Sequence, residues 1–568
     1  MLYVSAAVAV TWPAIIHFAT ALPGGTERVG TVPLFNAWTI WWNADSAARG
    51  FVGYWDAPIF HPTADSFAFS ETQLTTLAVA PVVWVGGSPT VAYNVYLLGT
   101  LIANAWMGRR LLRQVGVNLL PAFLGGLMVE LLPFVHWQLD VLQLVPLWGV
   151  LWTLAVAWRF GEKPQVRTGL AAGLAFGITY LACNHYGLFL SLLLLPACPL
   201  LLGRRLVEWQ AWKKLLPGAL LCSAVVAPVV LVQLRAVREH DMRRETDLVR
   251  RLSAEWGDYS TAFAPQLLPL PEISVPRRRA DWPLSPGSLK WLLAAAGVLG
   301  GMIVKRFRRW TLFCIVMLSA AVLLSQGPKL RFGSAVPYHW LADVYPGLAQ
   351  VRSIFRFAVF AQLTTALLAA QGLALLAEFL ARRVFKSQVA AIPRSWNWRV
   401  AGATALTAVI GGCAAVEVWP TEQNLIAVPS LETHRSWIGW LRTHTRPDDV
   451  IAHAPFPRGG DVGDYEETAE WMYLQSFHGR RMVNGYSGFF PNGFRELKSA
   501  MQGFPDEWSF DALRNADVRF CIVRRDGTTG GPLPPSHFRR VFADDRAGVD
   551  IYRLRRTTPV ESARISGV

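Results

Sequence analysis

The sequence predicts an α-helical polytopic membrane protein with about eleven spanning helices and a small C-terminal α/β domain. Hydrophobic residues make up 52% of the 568 residues and charged residues only 16%, whereas an ordinary soluble domain carries roughly 25% charged residues. The apolar residues also form long runs, and residues 168–184 and 310–326 carry no charge. Because a hydrocarbon core about 30 Å thick needs roughly 20 apolar residues of helix, these runs predict membrane-spanning helices.

The apolar runs divide the chain into a transmembrane domain at residues 1–418 and a domain at 419–568. The first run has no basic residue before it and is therefore predicted to remain as a span, since a signal peptide carries a positive flank. The predicted spans are 3–23, 88–107, 117–135, 140–158, 168–184, 187–203, 215–233, 286–304, 310–327, 355–380 and 400–418.

The net charge of +15 is concentrated between the apolar runs. Short basic loops of this kind are cytoplasmic under the positive-inside rule, so the charge does not indicate nucleic-acid binding. The rule predicts an inner-membrane protein whose N-terminus is cytoplasmic and whose C-terminal domain is extracytoplasmic. The outer loops are then 24–87, 234–285 and 328–354. The basic loops are 108–113, 159–167, 204–214, 305–309 and 382–399.

Residues 73–86 are apolar but are predicted not to cross the membrane. The segment is short and contains Pro81. A crossing here would move the arginines of the loop 108–113 to the outer face and invert every later loop, against the positive-inside rule. The sequence therefore predicts a juxtamembrane or re-entrant segment within the first outer loop, 24–87.

Hydropathy falls after about residue 420, where soluble patterning begins. Helices are predicted near 431–444 and 465–477. Strands are predicted at 449–454, 481–484, 517–523 and 549–554. This alternation of helix and strand predicts a small α/β domain.

The first outer loop is the segment richest in candidate site residues. Residues 35–74 contain three aspartates and one glutamate against a single arginine, together with many aromatic residues. Aromatic faces with carboxylates and amides suit a sugar ring, and a carboxylate could act as general base on an acceptor hydroxyl. The same oxygen atoms could hold a divalent cation, whereas the six cysteines form no CxxC metal pattern. The alternative is that these side chains only fix an irregular loop. The candidates are Asn36, Trp42, Asn43, Asp45, Tyr54, Asp56, His61 and Glu71.

Further candidates lie at other outer turns. His136 and Gln138 lie in the turn between two predicted spans. Arg352 and Arg356 are four residues apart at the outer end of another, a spacing that places both on one face of a helix. Paired arginines suit a phosphate or diphosphate, although snorkelling toward lipid headgroups is the alternative. The outer loop 234–285 carries nine arginines, which either reflect the weak constraint on long loops or form an anion-binding lid.

The layout resembles the GT-C superfamily of integral-membrane glycosyltransferases. The closest likeness is to bacterial polytopic members, including the YfhO-like group, and it covers most of the chain. The motifs that carry it are FNAWTIWWN at 35–43, YWDAPIFHPTADSFAFSE at 54–71, VHWQ at 135–138, PGLAQVRSIFRF at 346–357 and VNGYSGFFP at 483–491.

The resemblance implies transfer of a sugar from a polyprenyl-phosphate or polyprenyl-diphosphate donor to a lipid or glycan acceptor at the outer membrane face. It also implies an acidic residue early in the first outer loop, as base or as ligand of Mg²⁺ or Mn²⁺. This chain has Asn36 at that position, so Asp56 is the first candidate for the role, with Asp45 and Glu71 beside it. The alternatives are a non-catalytic protein that handles an envelope lipid or glycan, and a transporter or flippase. A transporter is disfavoured because Glu130 is the clear ionisable residue inside a span.

Overall fold

The computed structural model describes residues 1–25, 29–267, 282–386, 398–420, 424–525 and 533–555. These residues form a mostly helical chain with a five-stranded sheet near the C-terminus. The helices that precede the sheet are α1 Leu2–Val10, α2 Thr31–Ala48, α3 Ala80–Gly86, α4 Pro89–Gln114, α5 Leu119–Glu130, α6 Pro133–Trp137, α7 Trp148–Glu162, α8 Val166–Ala182, α9 Asn184–Leu202, α10 Trp209–His240, α11 Thr246–Arg251, α12 Ser288–Ile303, α13 Lys305–Ser325, α14 Pro337–Val344, α15 Ala358–Lys386 and α16 Trp398–Val416.

The protein is a membrane protein by the length and composition of its helices. Within the described part of the chain, six helices are long and apolar enough to span a bilayer. Shorter apolar helices lie at Val166–Ala182, Ser288–Ile303 and Ala401–Val416, where three more spans are predicted. The six long helices are Leu119–Trp137, Leu142–Glu162, Asn184–Val207, Trp209–His240, Lys305–Ser325 and Ile354–Ala381.

The first predicted span, 3–23, differs from the structure. Helix α1 ends at Val10, and the chain continues in turns to Thr20 before the short strand Ala21–Pro23. Pro13 explains the end of the helix, because proline lacks the N–H that would continue the helical hydrogen bonds and its ring clashes with the preceding turn. The segment 3–23 is apolar as predicted, but its helix, Leu2–Val10, is shorter than the predicted span.

Residues 73–86 form two short helical pieces. A 3₁₀ turn, Leu74–Val79, leads directly into α3. Together they make an apolar segment, Leu74–Gly86, that is shorter than the six long helices, and a bilayer-spanning helix needs roughly 20 residues. The length agrees with the prediction that this segment does not cross, and its position at the membrane surface stays a prediction.

Glycines allow α8 and α10 to approach very closely. A Cβ atom added to Gly173 of α8 would lie 1.8 Å from the carbonyl oxygen of Gly218 in α10. A Cβ atom added to Gly218 would lie 1.9 Å from the carbonyl oxygen of Gly169. Small residues spaced four apart permit such backbone contact between membrane helices. This contact fixes α10 beside α8, and the C-terminal ends of both helices border the site described below.

The C-terminal part folds around a five-stranded sheet of order β4-β3-β5-β7-β6. Strand β3 pairs in parallel with β4 and β5, and β7 pairs antiparallel with β5 and β6. The predicted strands correspond in position to β3, β4, β5 and β7, while β6 was not predicted. The elements are β1 Ala21–Pro23, β2 Leu425–Ala427, α17 Leu431–His444, β3 Val450–Ala454, α18 Glu466–His478, β4 Arg481–Met482, α19 Asn492–Ala500, α20 Glu507–Asn515, β5 Val518–Arg524, β6 Phe538–Asp544 and β7 Val549–Leu554.

The first outer loop is hydrogen-bonded to the edge of this sheet. The backbone N–H of Met482 donates to the carbonyl of Pro58 at 3.0 Å, and Phe60 N–H donates to the carbonyl of Asn484 at 3.2 Å. In the buried interface between α2 and α18, the indole N–H of Trp38 donates to Oε1 of Gln475 at 2.7 Å. Strands β1 and β2 also pair, which joins the N-terminal segment to the C-terminal part. The C-terminal part is therefore built onto the first outer loop.

Candidate functional site

Two buried asparagines of α2 hold the first outer loop together. Asn43 donates to the carbonyl of Thr72 at 2.8 Å and to Oγ1 of Thr76 at 2.9 Å, and its Oδ1 accepts from the Tyr54 hydroxyl at 2.8 Å. Asn36 accepts from the Gln73 amide at 2.7 Å. Asn36 and Asn43 are both fully buried. Three predicted substrate-binding residues, Asn36, Asn43 and Tyr54, thus make contacts that stabilise the loop itself.

Trp42 and Asp45 lie near the C-terminal end of α2. The indole N–H of Trp42 donates to the carbonyl of Tyr54 at 3.1 Å. The Arg49 guanidinium lies 5.1 Å from the centre of the Trp42 ring and forms an ion pair with Asp45 at 2.7 Å. Asp45 remains 39% exposed. The pair neutralises the Asp45 carboxylate at the surface, where such pairs contribute about 0–1 kcal/mol.

Asp56 and His61 lie in the middle of the first outer loop, and His61 is bonded to the C-terminal sheet. The exposed Asp56 carboxylate accepts a hydrogen bond from the backbone N–H of Asp65 at 2.9 Å. The backbone N–H of His61 donates to the carbonyl of Met482 at 3.1 Å. Burial and the nearby Arg481 lower the pKa of His61. His61 is therefore placed between the first loop and the C-terminal part, Asp56 is bonded within the loop, and the catalytic roles of both stay predictions.

His136 and Gln138 lie at the break after α5. The chain leaves the helix at Glu130 and resumes at Pro133, so the predicted span 117–135 is two helical pieces. The His136 Nε2 atom lies 3.0 Å from the carbonyl oxygen of Glu130. His136 is 5% exposed and Gln138 is 4% exposed. Both side chains are therefore packed within the helical break.

Glu71 lies at the centre of a polar cluster. Its Oε1 pairs with Nδ1 of His185, and its Oε2 accepts from the backbone N–H of Asn184 at 3.0 Å. Glu71 is 12% exposed and His185 is 20% exposed, so both side chains are partly exposed at the surface of the protein. Burial alone would raise the pKa of Glu71, but His185, the Asn184 N–H and Arg356 together lower that pKa below the usual value. Glu71 is thus held as a carboxylate.

A helix break at Cys183 builds this cluster. Helix α8 ends at Ala182, Cys183 is extended, and α9 begins at Asn184, so the first backbone N–H of α9 points toward Glu71. The positive end of the α9 dipole favours a carboxylate there. The Asn184 side chain donates to Gln233 of α10 at 3.0 Å, and the Gln233 amide donates to the Ser70 carbonyl at 3.0 Å. Helices α9 and α10 therefore fix the backbone next to Glu71.

Arg356 contributes positive charge to the same cluster. It lies in a 3₁₀ turn, Ile354–Phe357, and is 9% exposed. The prediction that Arg352 and Arg356 share one helical face is wrong, because Val351 and Ser353 are not helical and Arg352 precedes the turn. Arg356 acts electrostatically on Glu71, whereas Arg352 acts on Arg244.

Arg244 connects this region to the C-terminal part. Its guanidinium donates to the carbonyl of Gly488 and lies 3.5 Å from the centre of the Phe489 ring. The backbone N–H of Phe489 donates to the carbonyl of Phe69 at 3.2 Å. Burial is the main reason that the pKa of Arg244 falls to about 10, and neighbouring Arg352 lowers it further. The segment 484–490, from the motif VNGYSGFFP, thus borders the site, although Tyr486 itself packs edge-on against a phenylalanine of α2.

Sequence reasoning missed the partners that complete this site. A lone histidine such as His185 gives no signal in the sequence of its carboxylate partner 114 residues away. The sequence does not distinguish Arg244 from the other eight arginines of the loop 234–285. The run Arg277 to Arg279 of the same loop lies outside the described residues.

No protein-family model matches the sequence, and no curated protein matches it. Among solved structures, the chain is similar to the arabinofuranosyltransferase AftD from Mycobacteria, with a TM-score of 0.51 and 15% identity over 98% of this chain. The fold is of the GT-C type. The predicted GT-C fold is therefore confirmed. The chain spans 41% of the length of AftD.

A second neighbour of the GT-C fold is the archaeal oligosaccharyltransferase AglB from Archaeoglobus fulgidus, in complex with an inhibitory peptide and a dolichol-phosphate. The TM-score is 0.46 at 11% identity, and the match covers 93% of this chain and 69% of AglB. At 15% identity the likeness to AftD concerns the fold alone, and the chemistry of this chain has to be argued from its own residues.

Proposed function

We propose that the protein is a glycosyltransferase of inverting type that moves a sugar from a polyprenyl-phosphate-linked donor to a lipid or glycan acceptor of the cell envelope. We place the reaction at the outer face of the cytoplasmic membrane, with the N-terminus inside and the C-terminal domain outside. The single observation that carries the proposal is the meeting of Glu71, His185 and Arg356, which come from three distant parts of the chain. Membrane lipids surround the site, and nucleic acid has no role.

The positive side chains suit the phosphate of the donor. Arg356 lies beside the carboxylate of Glu71. Arg352 and Arg244 are neighbouring cations. Two arginines near each other repel, so an anion between them removes that repulsion as well as forming charge-assisted hydrogen bonds. These arginines are therefore the proposed contacts of the donor phosphate.

The Glu71–His185 pair suits the acceptor side of the reaction. It is partly exposed, while Asn36, at the position where the superfamily resemblance implies an acid, is fully buried and bonded to Gln73. Glu71 is therefore a stronger candidate than Asp56 or Asp45 to act on the acceptor hydroxyl. Asp56, whose carboxylate is exposed, remains a proposed contributor.

The test is the chemistry of envelope glycans and lipid-linked sugars in a deletion strain, measured by mass spectrometry. We expect a sugar to be lost from one acceptor and its lipid-linked donor to accumulate. Complementation with Glu71→Gln should fail, whereas Asp45→Asn, which removes an exposed surface carboxylate, should restore the glycan. Unchanged glycans and lipid-linked sugars in the deletion strain would contradict the proposal.

The donor-binding part of the proposal has its own variants. The double substitution Arg352→Ala and Arg356→Ala should weaken donor binding far more than acceptor binding, because each charge-assisted hydrogen bond contributes roughly 1.5–3 kcal/mol. The control is Arg49→Ala, which removes an exposed arginine paired with Asp45. Donor affinity that is unchanged in the double variant would favour arginines that only contact lipid headgroups.

The alternative is a protein that binds an envelope lipid or glycan without chemistry. It is favoured by Asn36 at the position of the implied acid, and by Glu71, whose two oxygens are both engaged by His185 and Asn184. A transporter is the least favoured function, because transporters use ionisable side chains within their spans as substrate or ion pathways. In the described membrane helices, the fully buried acidic and lysine side chains are Glu130 and Lys290. They lie on different helices, α5 and α12.

A further inference from the structure

Three side chains at the α8–α9 break have the chemistry of a metal site. One ligand atom each from Glu71, Cys183 and His185 lie within 4.8 Å of one another. We propose that these residues bind one Zn²⁺-like, thiophilic divalent ion and leave its fourth position open. The sulfur, nitrogen and oxygen donors are those of zinc proteins, where three protein ligands with an open position mark catalytic sites.

The geometry permits this binding with small side-chain movements. A tetrahedral ion with ligand distances of about 2.0–2.3 Å holds its ligand atoms roughly 3.3–3.8 Å apart. The contact between Glu71 Oε1 and His185 Nδ1 has to open so that the ion can lie between them, and the ligand atoms that lie up to 4.8 Å apart have to move closer. Cys183 is 1% exposed, whereas Glu71 and His185 reach solvent. The open position therefore faces the side from which a substrate arrives.

The donor set decides the class of metal. Mg²⁺ and Mn²⁺, the cations that the resemblance implied, prefer carboxylate, carbonyl and water oxygens, whereas a thiolate selects softer ions such as Zn²⁺. One carboxylate and one thiolate together balance the charge of a divalent ion. On binding, the Cys183 thiol releases its proton to solvent, and the imidazole binds in its neutral form.

The surrounding hydrogen bonds hold the ligands in place. The Asn184 N–H fixes Glu71 Oε2 at 3.0 Å, which leaves Oε1 to face the imidazole of His185. The Asn184 side chain and Gln233 tie the α8–α9 break to the backbone of Ser70. Supports of this kind orient ligands in metal sites and raise metal affinity.

The role of the ion rests on the proposed glycosyltransferase function, but its binding does not. An acceptor hydroxyl bound at the open position would lose its proton more readily, because a bound divalent ion lowers the pKa of an oxygen ligand. Arg356, next to Glu71, would bring the donor phosphate close to that oxygen.

The experiment measures metal directly in the full-length protein in detergent or nanodiscs. After chelation and dialysis, Zn²⁺ titration should give one equivalent bound, and Co²⁺ should give tetrahedral absorption bands with a thiolate-to-cobalt charge-transfer band. Cys183→Ser should remove the charge-transfer band, and His185→Gln should lower the affinity at least tenfold. Cys314→Ser is the matched control, because Cys314 is also 1% exposed but lies inside α13.

Each outcome is decisive. Absence of Zn²⁺ binding in the unsubstituted protein, or cobalt binding without a thiolate band, would overturn the metal site. Thermal unfolding of both variants identifies a folding defect, and serine at position 183 keeps a helix N-cap residue. Metal binding together with unchanged glycans in the deletion strain would overturn the proposed function and leave the site. Altered glycans without metal binding would overturn the metal site and leave the proposed function.

Discussion

Replacement of Asn43 by alanine tests whether the buried amides of the first outer loop bind substrate or hold the loop. Asn43 bonds to Thr72, Thr76 and Tyr54 with donor–acceptor distances of 2.8–2.9 Å and is fully buried. Asn43→Ala removes the amide partners of the Thr72 carbonyl and the Tyr54 hydroxyl, whereas Thr76 keeps its bond to the carbonyl of Gln73 at 2.8 Å.

The expected cost follows from these two groups. A buried polar group that loses its partner costs about 1–3 kcal/mol, so two such groups give about 3 kcal/mol once partial rehydration is allowed for. Each 1.4 kcal/mol is a factor of about ten. Amides of residues 70–76 should therefore exchange hydrogen about a hundredfold faster, as measured by mass spectrometry of the protein in nanodiscs.

The control for this experiment is Asp45→Asn, since Asp45 lies on the same helix but is exposed and paired with Arg49. It should change exchange in the segment 70–76 by less than a factor of about five, because a surface ion pair contributes about 0–1 kcal/mol. Unchanged exchange in Asn43→Ala together with a loss of sugar transfer would refute this reasoning and show that the Asn43 amide reaches the substrate.

Two further predictions concern helix packing and pH. Gly173→Ala should lower the yield of monodisperse protein in size-exclusion chromatography, because the new Cβ would lie 1.8 Å from the carbonyl oxygen of Gly218. Gly412→Ala is the control, because no atom lies within 4 Å of a Cβ added there, and its yield should not fall. Equal yields of the two variants would contradict the close contact. Burial lowers the pKa of His478 from 6.5 to about 3 and lowers that of His453 as well. The unfolded state therefore binds more protons below about pH 6.5, so stability is full above that pH and falls below it, by about 2 kcal/mol near pH 5 for His478. Thermal unfolding should show this loss, His478→Gln should reduce it, and a midpoint independent of pH would contradict it.

The membrane helices were the part of the fold most open to prediction. Their apolar length is a property of composition, and the hydrocarbon core imposes it directly. Breaks within the helices were harder to predict, since α5 stops at Glu130, inside the predicted span 117–135, while hydrophobicity continues. The helical face assigned to Arg352 and Arg356 failed for a related reason, because spacing implies a shared face only where the intervening residues are helical.

The candidate site divides in the same way. Residue types alone indicated a sugar-handling first loop and an arginine-rich outer end, and Glu71, Arg352 and Arg356 were among the candidates. Burial separated Asn36 and Asn43, which hold the loop, from Glu71, which remains accessible. Burial depends on what packs against a side chain, and α18 and the segment 72–76 are far from α2 in the sequence.

The sequence by itself determined that the chain is a membrane protein and that its first loop is acidic and aromatic. It also determined that a mixed pattern of helices and strands begins after about residue 420. These are properties of composition and local periodicity. They decide which residues avoid water, and they do so without regard to the rest of the chain. Only the tertiary structure decided that Glu71 meets Cys183 and His185 and that the C-terminal sheet is built onto the first loop. Such contacts depend on a helix break and on close helix packing, and both arise from the geometry of the folded chain.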